Sequence, residues 1–446
     1  MSLAKKYDLV LYGATGFVGQ QTVAYIQNFA QKFTQTTLQK SGPTQLQPQP
    51  HPLRWAIAGR NAAKLEAVRA QCGTGADIGA RNASSANSAN SASGPDVIVA
   101  DAQDTQALNA LAASARVVLS SAGPFALYGS ALVAACVRER THYVDITGET
   151  PWVRSLIDAH HAQAARDGTR IIPCCGFDSV PSDIGAYLLA QTMWERYKKP
   201  CVSVKAAFSM RGGLNGGTLA SILNIMADGQ SAAFSQPFLL NPAGTALKDP
   251  SAHQDITTPT HDTDFAAWVG PFVMAAINTR VVRRSAALLG AGSKKSPYGK
   301  DFYYQEYLRF GKGPLAATTA AGMSFGMGLG QSVMRFGIGR SITAALAPKP
   351  GEGPSERSMD SGRFRVQMVG ASAAGDEVRL TLSDSGDPGN RATTKMVCES
   401  ALALALNTAD LPGGLDLGGV LTPASGLGDV LVQRLRAAGM QIEVQA

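Results

Sequence analysis

The chain has 446 residues, 45% of them hydrophobic and 16% charged, enough apolar material for a sizeable core and a length of about two or three domains. A net charge of +7 and a pI near 9.1 suit a protein that handles phosphates or sits near anionic lipid, but no basic cluster interleaved with aromatics occurs, which argues against nucleic acid. The six cysteines, Cys72, Cys136, Cys174, Cys175, Cys201 and Cys398, show no C-x-x-C or C-x-x-C-H spacing, so zinc, haem attachment and a disulfide framework are disfavoured, no metal is expected, and a reducing cytoplasm is the simplest compartment.

Lys5 and Lys6 precede an apolar run too short for a signal-peptide core, and nothing here addresses the chain for export. That run, residues 9–12, reads as a buried strand, and it stops at Gly13, Gly16 and Gly19, after which helical spacing begins. The stretch Gly13-Ala14-Thr15-Gly16-Phe17-Val18-Gly19 thus predicts strand, glycine turn, helix. Such a turn aims backbone N–H groups and the positive end of a helix dipole at one point, a cradle for pyrophosphate. The spacing is G-x-x-G-x-x-G, not the commoner G-x-G-x-x-G.

A helix is expected over 17–29, followed by a Gln-, Thr- and Pro-rich loop extension over 31–52. Residues 54–58 form the second strand, ending at Gly59-Arg60. An acidic residue at this place holds the ribose 2′-hydroxyl of NAD, whereas Arg suits a 2′-phosphate. Arg60, with Lys64 one turn into the next helix, therefore points to NADP(H); the bland alternative is a solvated Arg at a strand end. A second low-complexity loop covers 73–94, rich in Ala, Ser and Asn. Residues 96–100 make the third strand, with Asp101 at its end placed to face adenine or ribose. Residues 117–121 make the fourth, running into Ala122-Gly123-Pro124-Phe125, where parallel sheets of this kind bind the nicotinamide end. Residues 142–146 and 171–174 are the fifth and sixth. Six strands alternating with helical patterns over about 185 residues predict an α/β fold, a Rossmann-type doubly wound parallel sheet.

Beyond Lys199 the rhythm changes, and a second, mixed α+β domain is expected to cover the nicotinamide cleft. Residues 201–210 alternate like a half-exposed strand, 216–228 read as a helix, 244–261 as a polar loop, and 364–369 with 378–382 as two antiparallel strands. The tail carries helices over 393–407 and 425–438 and is expected to pack back on the first domain. The expected organisation is a nucleotide-binding domain over 1–195, a substrate and dimerisation domain over 196–392, and a C-terminal segment over 393–446. Residues 313–334 carry no charge for 22 positions and place Gly322, Gly326 and Gly330 four apart. Several readings stay open for this stretch: a transmembrane helix, peripheral membrane or acyl-chain contact lining substrate access, or a helix buried in the core or in a homodimer interface, with Arg335, Arg340 and Lys349 following it.

Candidate proton donors near the strand ends are Tyr128, His142, Tyr143, Asp145, Asp178 and Ser179. Each has a structural alternative: His142 and Tyr143 filling the core, Asp145 capping a turn, Asp178 with Ser179 capping the helix after Pro181. A Tyr-x-x-x-Lys relay is absent, and neither a Gly-x-Ser-x-Gly elbow nor a His-Glu-x-x-His site is expected, which makes hydrolases and metalloproteases poor alternatives.

Taken together, Gly13 to Gly19, Ala58-Gly-Arg60, Ala122-Gly-Pro-Phe125, His142-Tyr-Val-Asp-Ile-Thr-Gly-Glu149, Gly176-Phe-Asp-Ser-Val-Pro-Ser-Asp183, Gly351-Glu-Gly-Pro-Ser355 and Leu421-Thr-Pro-Ala424 resemble the saccharopine dehydrogenase-like oxidoreductases. Within that family the chain is most similar to the branch that holds the trans-acting enoyl reductases and the lipid-droplet-associated saccharopine dehydrogenase-like oxidoreductase. The resemblance implies an NADPH-dependent reductase acting on a lipid or polyketide acyl chain, with membrane association and glycolipid synthesis in some members. The alternatives are a non-catalytic, NADPH-binding protein at a lipid surface, and an amino-acid oxidoreductase like the saccharopine reductases.

Overall fold

The computed structural model describes residues 5–40, 52–73, 94–212, 235–244, 249–290, 296–334 and 353–445. Six parallel strands come first: β1 (Tyr7–Tyr12), β2 (Trp55–Gly59), β3 (Asp96–Val99), β4 (Ala115–Ser120), β5 (His142–Asp145) and β6 (Arg170–Ile172), in the spatial order 3-2-1-4-5-6. That order is the doubly wound one, with its topological switch between β1 and β4. Strands β1 and β2 are buried throughout because helices cover both faces. Leu9, Leu11, Ile57, Leu119 and Val144 point to one side; Val10, Ala56, Val118 and Tyr143 point to the other. Each large aliphatic side chain so buried is worth roughly 1.5–3 kcal/mol, which fixes the register, since a one-residue slip would exchange the two faces.

The connecting helices are α1 (Phe17–Lys40), α2 (Ala62–Gly73), α3 (Thr105–Ser114), α4 (Phe125–Tyr128), α5 (Ser130–Arg138), α6 (Thr150–Arg166) and α7 (Val180–Tyr197). Helix α1 corrects the expectation of a loop from residue 31: Phe29 stacks on Phe33 at 5.7 Å one turn on, and Gln and Lys are good enough helix formers to carry it to Lys40. Most of the 73–94 segment, residues 74–93, lies outside the described residues, as does the expected helix over 216–228.

The second sheet contains β7 (Cys201–Arg211), β8 (Thr260–Asp262), β9 (Ala267–Gly270), β10 (Tyr298–Gly311), β11 (Arg363–Ser372) and β12 (Glu377–Ser385), with α8 (Ala275–Gly290), α9 (Pro314–Met334) and α10 (Glu356–Asp360) between them. β7 and β10 run parallel and the other pairs antiparallel, giving a mixed sheet. The expected polar loop over 244–261 carries a short helical turn at Pro250–His253 and runs into β8. The tail then serves both sheets. Helix α11 (Thr393–Leu406) is buried against β1, β4 and β5; β13 (Gly419–Val420) adds a seventh parallel strand beside β6; α12 (Pro423–Ala437) packs on α7; and β14 (Gln441–Gln445) pairs with β12.

The turn after β6 meets the second sheet through aromatic rings. Phe177 stands edge-on to Phe364 at 4.9 Å and to Phe208 at 6.2 Å, and Phe208 stacks on Phe272 at 4.6 Å. Such pairs add about 0.5–1.5 kcal/mol each beyond area burial and hold the second sheet against the carboxyl end of the first.

Residues 314–334 form α9, which buries Ala316 and Ala320 and leaves Leu315 (81%), Phe325 (74%) and Leu329 (55%) exposed. A Cβ built on Gly322, Gly326 or Gly330 would meet nothing within 4 Å. No helix among the described residues is long and apolar enough to cross a membrane.

Candidate functional site

The glycine turn closes on itself before the helix begins. Gly13 N–H donates to Ala58 O at 2.9 Å and Gly16 N–H to Gly13 O at 3.0 Å, while Gln20 N–H donates to Gly16 O at 2.9 Å and so starts α1. The amides of Phe17, Val18 and Gly19 are those a helix leaves without an internal partner, and they point out of its N-terminus. Two close approaches show that the turn packs tightly on its own backbone and on the end of β4. Gly13 has φ +90°, and a Cβ there would stand 2.9 Å from Ala122 N; a Cβ on Gly19 would stand 2.1 Å from Gly13 O. Gly16 has its nearest neighbour at 3.4 Å and faces the open side. Ala14 is buried beneath, and Thr15 accepts from Gln20 Nε2 at 3.2 Å. Ser121, just before Ala122, donates to Gly13 O at 3.2 Å and ties the turn to the end of β4. The residues present therefore fit a dinucleotide pyrophosphate.

At the ribose end Gly59 closes β2, and Arg60 and Lys64 are both exposed beside it. Asn61 accepts from Lys64 N–H at 2.9 Å and caps α2, so Arg60 is left free of that task. Burial pushes the Tyr12 hydroxyl up to about 12, with Asp101 adding to the shift and Arg60 opposing it. Asp101 is occupied in its own loop, accepting from Gln103 N–H at 2.9 Å. No carboxylate stands at the end of β2 in the place of Arg60. Arg60→Ala is expected to weaken NADPH binding at least tenfold and NADH binding little, measured by parallel calorimetric titrations; equal losses would remove Arg60 from the 2′-phosphate.

At the opposite end, Gly123 and Pro124 (joined by a cis peptide) lead into α4. Glu149 holds this loop: its two carboxylate oxygens accept from Phe125 N–H at 2.9 Å and Ala126 N–H at 2.8 Å, and its own N–H donates to Thr147 Oγ1 at 3.1 Å. A Cβ on the intervening Gly148 would lie 2.8 Å from Ile277 Cδ1 and 3.5 Å from Asp178 Oδ2, so the Asp178 carboxylate lies over Gly148, next to the loop that ends β5.

The structure separates the six candidate donors. His142 Nδ1 accepts from Arg170 N–H at 3.1 Å, and burial lowers its pKa to about 4, so it is a neutral structural imidazole. Tyr143 is fully buried, its hydroxyl enclosed in the core and its pKa pushed well up by burial. Asp145, also fully buried, accepts from Thr147 N–H at 3.0 Å and Cys174 N–H at 3.1 Å and holds the ends of β5 and β6 together. Tyr128 is 40% exposed at the end of α4. Ser179 donates to Asn278 Oδ1 at 3.3 Å. Burial raises the pKa of Asp145 and Asp178 alike to about 7, and what sets Asp178 apart from Asp145 is that it is half-buried and no described hydrogen bond engages its carboxylate. Neither Asp178 nor Ser179 caps α7 through its side chain, contrary to the structural alternative expected for them.

Sequence reasoning passed over the residues that support this turn. Glu306 of β10 accepts from Asn278 Nδ2 at 2.8 Å, Ser182 Oγ at 2.8 Å and the Tyr304 hydroxyl at 2.9 Å, and Asn278 in turn receives Ser179. A buried carboxylate with three donors ties the second sheet to the turn that carries Asp178. Glu149 had a visible signal, an acid just after a Gly in the turn that follows β5; Glu306 had none, because Asn278 and Ser182 reach it from two distant segments and only Tyr304 is local.

A Gly-x-Ser-x-Gly string does occur at 322–326, but it lies inside α9, where Ser324 Oγ donates to Ala320 O at 2.8 Å. It is not the strand-to-helix elbow of a hydrolase nucleophile. Among the described residues no group of His, Cys, Asp and Glu could hold a metal ion.

Residues 9–172 match the family described as saccharopine dehydrogenase NADP binding domain. The trans-acting enoyl reductase of Mycobacterium bovis (strain BCG) is 35% identical over 452 residues, covering 98% of this chain and 97% of its own. That of Mycobacterium leprae is 34% identical over 455 residues with the same coverage. Among solved structures, apo saccharopine dehydrogenase (L-Glu forming) from Saccharomyces cerevisiae is 13% identical, covering 98% of this chain and 99% of that one, with a TM-score of 0.43.

Proposed function

The chain belongs to the saccharopine dehydrogenase-like oxidoreductases and binds NADP(H), and on that premise we propose that it reduces the conjugated double bond of an enoyl-type acyl chain, with Asp178 as the proton donor. Saturating such a bond adds one hydride and one proton; NADPH, when bound, supplies the hydride, and the protein places the proton. Gly13 to Gly19 hold the pyrophosphate on bare amides, Arg60 and Lys64 take the 2′-phosphate, and the Ala122-Gly123-Pro124 loop, fixed by Glu149, borders the nicotinamide end. The single observation that carries the reading is Asp178: a carboxyl beside that end with no described hydrogen-bonding duty and a pKa raised to about 7 by burial. Its O–H would give a proton to the α-carbon of the substrate as the double bond is saturated.

The acyl character of the substrate draws support from the printed names of the relatives and from α9, uncharged throughout and exposing Leu315, Phe325 and Leu329. The proposal extends to a role in lipid or glycolipid synthesis and to a peripheral contact with a lipid surface through 313–340, of which 335–340 lie outside the described residues. The test is NADPH oxidation by the purified protein with 2-enoyl thioesters of increasing chain length. Oxidation that rises with acyl length is the expected result. Tight NADPH binding without oxidation by any enoyl thioester or lipid extract would overturn it in favour of a non-catalytic, lipid-associated protein.

A further inference from the structure

The motif that ends at Ser355 has so far had no task. Its described part runs into residues 353–362, a short strap that contains α10 and begins against Phe17, the first residue of α1. Gly353 is pressed against the ring of Phe17: a Cβ there would come within 2.4, 2.5 and 2.8 Å of three ring atoms. One helical turn further along the same face of α1, Gln21 Oε1 receives Arg391 Nη1 at 3.3 Å. Arg391 also holds the strap itself, donating to Glu356 Oε2 at 2.6 Å and Asp360 Oδ1 at 3.0 Å. The far end of the strap is equally tight, since a Cβ on Gly362 would stand 2.4 Å from the backbone of Asp387, and Asp387 N–H donates to Met359 O at 2.7 Å. Both ends thus sit where only glycine fits, and an arginine paired with two carboxylates fixes the middle.

Phe17 is the first residue of α1, and its amide is among those that face a bound pyrophosphate. We propose that the 353–362 strap is the outer wall of the NADP(H) site, with Gly353 and Arg391 as positioning residues that hold it beside the glycine turn and slow cofactor release. Arg391 is already neutralised by Glu356 and Asp360, so its part is to place the wall and not to bind phosphate. The inference rests on the reading of Gly13 to Gly19 as an NADP(H) cradle.

The test is NADPH titration and stopped-flow release on full-length variants, with melting temperature measured alongside. Gly353→Val should weaken NADPH about tenfold, because the new side chain must push the strap off Phe17. Adding Phe17→Ala removes the ring it collides with and should recover most of that loss. Arg391→Met leaves both glycines in place and should speed NADPH release several-fold. Wild-type affinity and release in both Gly353→Val and Arg391→Met would overturn the wall, as would a Gly353→Val loss that Phe17→Ala does not relieve. Absence of NADPH binding by the wild-type protein would instead remove the cradle reading beneath it, so the two failures are distinguishable.

Discussion

Asp178→Asn is expected to lower turnover of an enoyl substrate by roughly 10²–10⁴-fold while leaving NADPH affinity within a few-fold of wild type. The carboxamide has nearly the same shape but no proton to release. The size of the effect follows from the raised pKa. At an ordinary aspartate pKa, fewer than about one molecule in a thousand would carry the proton at pH 7, whereas a value of about 7 keeps about half of them armed. Because the donor must be protonated, the wild-type rate is flat below about pH 7 and falls about tenfold per unit above it. The residual Asp178→Asn rate lacks that limb. The linkage runs in the same direction: an acid whose pKa is higher in the folded than in the unfolded chain costs stability as pH rises between the two values, so Asp178→Asn should melt above wild type at pH 8. Full activity of Asp178→Asn with an unchanged pH profile would move the donor elsewhere.

Gly19→Ala should cost about 100-fold or more in NADPH affinity, about 2.7 kcal/mol, and lower the melting temperature as well. The added methyl would stand 2.1 Å from Gly13 O and 3.0 Å from both the carbonyl carbon and the Cα of Ala14. All of these atoms are backbone, so relief requires the turn itself to open and the amides to lose their common aim. Gly59→Ala is the control. Its nearest neighbour would be the flexible end of Leu65 at 3.7 Å, so NADPH binding should stay within a few-fold of wild type. Calorimetry on both variants checks the contrast, and an unaffected Gly19→Ala would refute the cradle geometry.

The parallel sheet was legible because its central strands β1 and β2 are apolar runs bounded by turn residues and buried on both faces, while the half-exposed edge strand β3 keeps a short Val-Ile-Val run of its own. Strand β13 was not, since two residues, Gly419 and Val420, carry no period, and only the edge of β6 makes them a strand. The glycine turn and Arg60 were legible as chemistry at fixed offsets from a strand. The status of Asp178 was not, because an aspartate before Ser-Val-Pro reads equally well as a helix cap and as a free acid. What distinguishes them is the tertiary setting, in which Asp178 meets Gly148 beside Ile277, about a hundred residues away in sequence. Loop 31–40 failed for a local reason: a polar composition was read as absence of structure, although a single Phe29–Phe33 pair suffices to extend a helix already nucleated.

The tail that supplies α11, β13 and β14 has a consequence for how the chain is made. During synthesis the first six strands leave the ribosome long before their partners, yet the face of β1, β4 and β5 that receives α11 stays bare until residue 406, and each sheet lacks one of its two edge strands until residue 420 or 445. The nucleotide-binding half is therefore no early-folding module that a growing chain can complete and set aside. It waits, with an apolar surface open to water and to chaperones, until residues 393–445 have followed it out and packed against it.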